Sequence, residues 1–99
     1  MDMTDLLNDT QLAEALSHLP DWRQDDSTLA RTVEFASFSQ AIQAVNRVAE
    51  IAETENHHPD MDIRWRKVTF HCSTHSEGGI TSRDASMAEE IDGVVQSLA

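Results

Sequence analysis

The chain is poor in the residues that build crosslinks and basic surfaces. It has one cysteine (Cys72), one lysine (Lys67) and three glycines. A single cysteine excludes an intrachain disulfide framework. No apolar run approaches the ~20 residues needed to span a bilayer, so no membrane partner is expected. Met1 to Leu12 is acidic and lacks a charged region followed by an apolar one, so no signal peptide is visible. A cytoplasmic location follows as the default. Basic residues are scarce as a class, 7 Lys and Arg against 18 Asp and Glu, for a net charge of -11. Such a chain repels phosphates, which argues against a nucleic-acid partner. The acidic residues are spread along the chain and not gathered in a tail. That spread favours a salt-adapted surface over an acidic partner-binding one, and it speaks to habitat, not to function.

What is present suffices for one modest core. An apolar fraction of 39% in 99 residues predicts a single domain over 1–99. Asn8, Asp9 and Thr10 are candidate N-caps for a first helix with Leu12, Ala15, Leu16 and Leu19 on one stripe. Pro20 closes it, and His18 reads as a solvated helix-end residue. Trp22 opens a short extended segment, Asp25 to Ser27 supply a turn, and Leu29 to Phe35 alternate as a half-buried strand. The second helix begins after Ser37 or Ser39. Its apolar stripe of Phe38, Ile42, Val45, Val48, Ala49 and Ala52 is expected to pack on the sheet.

Glu50, Glu53 and Glu55 crowd the end of that helix, where acids oppose the macrodipole. For Glu50 and Glu55 the general acid excess explains this. Pro59 ends the helix region. Met61 to Ser73 is too long for one strand and predicts a hairpin turning near Trp65 and Arg66. In its second arm Val68, Phe70 and Cys72 face the core, so Cys72 reads as a small buried apolar residue. Gly78 and Gly79 mark a loop. Thr81 to Asp84 has the form of a capping box for a third helix bearing Met87, Ala88, Ile91, Val94, Val95 and Leu98. Gly93 either weakens that helix by about 1 kcal/mol or lets another helix approach closely. The order α-ββ-α-ββ-α predicts an α+β fold, a four-stranded antiparallel sheet with three helices on one face.

Four of the five histidines (His57, His58, His71 and His75) fall within nineteen residues. A metal site is one reading, but adjacent histidines rarely chelate one ion together and no second cluster completes a set. Acid–base catalysis is another: an imidazolium can donate a proton while a neutral neighbour accepts one. Ordinary polar and capping roles are the third. As a cluster with Ser73, Thr74 and Glu53, the histidines leave catalysis level with ordinary roles. His71 stays with the latter.

The stretch Glu53, then His57-His58-Pro59, Trp65, His75 and Asp84 resembles the pterin-4a-carbinolamine dehydratase family at every spacing, and the likeness runs over roughly residues 7 to 98. Ser73-Thr74-His75, Arg83-Asp84 and the upstream Leu19-Pro20 and Trp22 share it. Asn56 stands where many members carry Asp, and Ser76 where an acid often follows the third histidine. The resemblance implies dehydration of a 4a-hydroxytetrahydropterin to the quinonoid dihydropterin by a carbon–oxygen lyase that recycles tetrahydropterin without cofactor or metal. It implies His57, His58 and His75 as catalytic. It assigns Glu53, Asn56, Ser73, Thr74, Trp22 and Arg83 to the pterin substrate, and Pro59, Trp65 and Asp84 to support. It also implies a homo-oligomer, dimer or tetramer. A non-catalytic binding module on the same fold, or a role in molybdopterin metabolism, is the alternative.

Overall fold

The structure, a computed structural model, describes residues 5–99. Its elements are α1 (Asp9–Ser17), β1 (Arg23–Asp25), β2 (Thr28–Glu34), α2 (Phe38–Glu55), β3 (Asp60–Arg64), β4 (Lys67–Cys72), a 3-10 turn (His75–Glu77) and α3 (Ser82–Leu98). The strands form one antiparallel sheet in the order β1-β2-β4-β3. Two hairpins therefore lie side by side, with β1 and β3 as the edges. The order and architecture are those expected from the sequence.

Register places the apolar alternation on one face. Leu29 pairs with Cys72 and Val33 with Val68, and all four are buried. The facing row is polar: Thr32 meets Thr69, with their hydroxyl oxygens 2.8 Å apart, and Glu34 meets Lys67. α3 covers the apolar face with Met87, Ala88, Ile91 and Val94. α2 covers it with a stripe that keeps only Val48 and Ala52 of the one expected. Ala41, Ala44, Val48 and Ala52 are its buried residues, while Phe38 is half exposed. Small side chains let the α2 backbone sit close to the sheet, which turns the bulkier Phe38–Ile42–Val45 row to the side. Cys72 is fully buried among apolar neighbours, and that burial pushes its thiol far above the ordinary range, so it is inert packing.

Trp22 belongs to this core. It is 6% exposed, and its indole N–H donates to Asp92 Oδ1 at 2.8 Å. The same carboxylate binds Arg31, which reaches it from β2. The β3–β4 turn falls at Trp65 and Arg66 as expected, but with Trp65 at φ 55. Left-handed backbone is costly for a bulky residue. The Arg66 guanidinium stacks 4.8 Å from the Trp65 ring centroid and partly offsets this cost.

A Cβ added at Gly93 meets nothing within 4 Å, so no close helix approach within this chain requires glycine there. Gly93→Ala is expected to stabilise the protein by about 0.5–1 kcal/mol through helix propensity, measured by urea unfolding. A loss of stability would instead mean that a second copy packs on that position.

Candidate active site

The histidine pair sits where α2 hands over to β3. α2 ends in Asn56, a left-handed C-cap at φ 51 and ψ 44. Asparagine tolerates that conformation better than most residues, so the backbone gives a reason for Asn56 apart from charge. α2 has no basic residue in its last turn. Arg83 supplies the cation from α3, donating to the carbonyl oxygens of Asn56 (3.0 Å) and Glu55 (3.4 Å). Its guanidinium thus ties the α2 C-terminus to the start of α3 and opposes the negative end of the helix dipole.

The reversal at Asn56 sends His57 inward and leaves His58 outward. His57 is 7% exposed, and its Nε2 lies 2.7 Å from Asp84 Oδ1. Asp84 has no exposed surface. Its other oxygen, Oδ2, accepts from the Thr74 hydroxyl and from the Thr81 backbone N–H, both at 2.8 Å. Thr74 and Thr81 hydroxyl oxygens are 2.7 Å apart. An ionised carboxylate only accepts, so the Thr74 proton points to Asp84 and the Thr81 proton points to Thr74. One directed chain of hydrogen bonds therefore runs from the α3 cap to the buried carboxylate. The capping-box acid legible in the sequence is also the partner of His57, a second task the local pattern did not reveal.

His58 makes the parallel contact outside. Its Nε2 is 2.5 Å from Glu53 Oε2, and both side chains are largely exposed. Glu53 lies five residues before His58, close to one and a half helical turns, so the αL reversal is what folds the ring back onto it. Pro59 is buried and leads straight into β3. Because β3 and β4 are antiparallel, with Asp60 opposite His71, the chain entering β3 runs beside the chain leaving β4. That brings His57 and His58 to Ser73, Thr74 and the 3-10 turn that begins at His75. His75 is exposed and has no carboxylate partner among the described residues. Gly78, at φ 74, closes this turn, and its N–H bonds back to the Thr74 and His75 carbonyls.

Not every residue expected at the site is brought there. Ser73 is half-buried beside the pair, but Thr74 is 2% exposed and its hydroxyl is committed to Asp84 and Thr81. Trp22 precedes the opposite edge strand, about three strand spacings or ~14 Å across the sheet, and its indole is held by Asp92. Trp65 is 70% exposed at the far end of the β3–β4 hairpin, with the five residues of β3, or ~17 Å of strand, between it and the histidine end. Arg83 braces helix ends. His71 lies on the polar face of the sheet, with its Nδ1 3.3 Å from the Thr28 hydroxyl, in keeping with an ordinary strand role. The residue that sequence reasoning understated is Asp84. An acid at the third position of a capping box so near a histidine pair was the available signal.

The family model described as pterin 4 alpha carbinolamine dehydratase matches residues 5–94. The chain belongs to this family. Among its relatives, a protein of Nocardia farcinica is 56% identical over 89 residues, 90% of this chain and 94% of the relative. One of Mycobacterium avium is 53% identical over 92 residues, 93% and 98% of the two chains. Both are provisionally named as pterin-4-alpha-carbinolamine dehydratases. The crystal structure of a transcriptional coactivator/pterin dehydratase from Brucella melitensis superposes with a TM-score of 0.88 at 30% identity, covering 91% of this chain and 98% of that one. A pterin dehydratase-like protein described as a RuBisCO assembly factor in the alpha-carboxysome gives a TM-score of 0.63 at 19% identity, over 75% of this chain and 88% of that one. It shares the fold alone.

Among the described residues no helix is long and apolar enough to cross a membrane.

Proposed function

We propose that this family member dehydrates a 4a-hydroxytetrahydropterin to the quinonoid dihydropterin by histidine acid–base catalysis. The observation that carries the reading is a pair of carboxylate–histidine contacts on adjacent residues, His57 with Asp84 and His58 with Glu53. The reaction breaks the C4a–O bond and the N5–H bond and forms the C4a=N5 bond. The departing oxygen takes one proton and leaves as water, while a base takes the other proton from N5. Substrate and product differ by one water, so the step requires only proton donors and acceptors.

An imidazole whose Nε2–H is held by a carboxylate presents Nδ1 as its working nitrogen. Neutral, it accepts a proton there; protonated, it donates one. The carboxylate fixes the ring orientation and opposes the charge the ring gains. His57, His58 and His75 carry the proton transfers. Glu53 and Asp84 position the first two, and Thr74 and Thr81 position Asp84. Ser73 and the backbone around His75 hold the pterin ring. Asn56, Trp22 and Arg83 act through the helix cap, the core and the helix brace. The unpaired outer edge of β3 offers a route to the homo-oligomer that the family resemblance implies.

The test is a spectrophotometric assay in which the 4a-hydroxytetrahydropterin is generated in place and quinonoid dihydropterin formation is followed at low and high salt. Acceleration by the wild type that disappears in His58→Ala is expected. No acceleration at either salt, from folded protein, would overturn the reading and leave a binding role on the same fold.

A further inference from the structure

The 3-10 turn that carries His75 is held from two sides. On its inner side Thr74 is fixed by the buried hydroxyl chain to Thr81 and Asp84. The two ends of the turn then close on each other. The Thr74 N–H donates to the Gly79 carbonyl at 2.8 Å, and the two residues form an antiparallel bridge. The outer side is held by the chain ahead of α1. Leu6 forms a second antiparallel bridge with Thr81, and the Leu7 N–H donates to the Ile80 carbonyl at 2.9 Å. Leu7 packs against the core, while Leu6 is 52% exposed.

Gly79 shows what the exposed leucine does. Gly78 needs glycine for its left-handed backbone, whereas Gly79 has no positive φ to satisfy. Gly79 is buried all the same, in a loop whose residues from His75 to Gly78 are exposed. A Cβ added to it would stand 3.0 Å from Leu6 Cδ2, inside the ~3.5–4.0 Å at which packed carbons rest. Leu6 therefore lies directly on the Gly79 backbone, at the point where the turn closes.

We propose that Leu6 is a positioning residue for His75, clamping the closed turn through Gly79. His57 and His58 each have a carboxylate to aim the ring. His75 has none among the described residues, so its aim depends on the backbone of the turn. Thr74 anchors that backbone from within, and Leu6 anchors it from outside. The role in catalysis rests on the dehydratase reading; the clamp on the turn does not.

Three readouts on Leu6→Ala and Leu6→Met decide it, with Phe38→Ala, a half-exposed apolar residue at the start of α2, as control. They are the thermal midpoint, amide hydrogen exchange at Thr74 and Gly78, and kcat/KM in the dehydration assay. Leu6→Ala should keep its midpoint within about 3 °C of wild type, as exposed positions do. Exchange at Thr74 and Gly78 should quicken by about threefold or more as the turn loosens. With the ring misaimed, kcat/KM should fall about tenfold. Leu6→Met, of similar volume, should restore both exchange and rate, and Phe38→Ala should move neither. Wild-type exchange in Leu6→Ala overturns the clamp. Faster exchange with an unchanged rate overturns the positioning role. A wild type without dehydration activity defeats the dehydratase reading instead, and the exchange rates then decide the clamp alone.

Discussion

Asp84→Ala is expected to cost about 3–5 kcal/mol of folding stability, a large share of the ~5–15 kcal/mol available to a domain. The carboxylate is fully buried and receives three hydrogen bonds from three chain segments: His57 ahead of β3, Thr74 after β4 and the Thr81 N–H at the α3 cap. Alanine strands all three donors away from water, and each unmet donor costs roughly 1–3 kcal/mol. It also undoes the α3 capping box and the junction on which His57 rests. Asp84→Asn keeps the volume but presents an NH2 where a donor already points, so it should fold with a smaller loss. Its rate should fall by ~10²–10⁴, as when the orienting acid of a catalytic histidine is made an amide. Urea unfolding and the dehydration assay separate the two effects. Wild-type kcat in Asp84→Asn would reduce Asp84 to a purely structural residue, and a loss under 1 kcal/mol in Asp84→Ala would mean that the buried network does not form.

The same residue shows where a sequence stops being legible. Thr81 and Asp84 announce a helix start because a capping box is local, its two ends three positions apart. The contact to His57 spans 27 residues and exists only because α3 begins beside the end of α2, which no local pattern encodes. Elements were legible for the same reason that caps were. Period-2 alternation in β2 and β4 and 3.6 periodicity in α3 are properties of neighbours in sequence. The α2 stripe was misplaced by part of a turn because hydrophobicity favours Phe38 and Ile42 over alanine. The sheet instead takes Ala41 and Ala44 beside the expected Val48 and Ala52, since small side chains permit close approach. The β3–β4 turn was placed by strand length alone. The left-handed backbone of Trp65 was not legible, because a bulky aromatic is a poor candidate for positive φ. Trp22 was ambiguous by type, and its neighbours Asp92 and Arg31 come from distant elements that only the fold assembles.

His58→Ala is expected to lower kcat by ~10²–10⁴ while leaving stability within about 0.5 kcal/mol of wild type. The ring is 54% exposed and its one hydrogen-bond partner among the described residues is the exposed Glu53, so little folding energy rests on it and a lost rate reports chemistry. His57→Ala differs in kind. It removes the partner of a buried carboxylate and should lose about 3 kcal/mol as well as activity, so only its residual rate in folded protein is informative. If the two rings serve one proton-transfer unit, the double variant will fall little below the worse single variant, since groups that act together are non-additive. Glu53→Gln keeps an acceptor for His58 and alters only a solvent-screened charge, and an effect of about fivefold or less is expected. The ratio of the His58→Ala effect to the Glu53→Gln effect locates the chemistry. A large loss in His58→Ala with a small one in Glu53→Gln puts the proton transfer on the ring itself, which the acceptor at position 53 orients whether or not it carries a charge. Full activity in His58→Ala would make the His58–Glu53 contact an ordinary surface pair, confining the reaction to His57 and His75, one ring buried and one exposed.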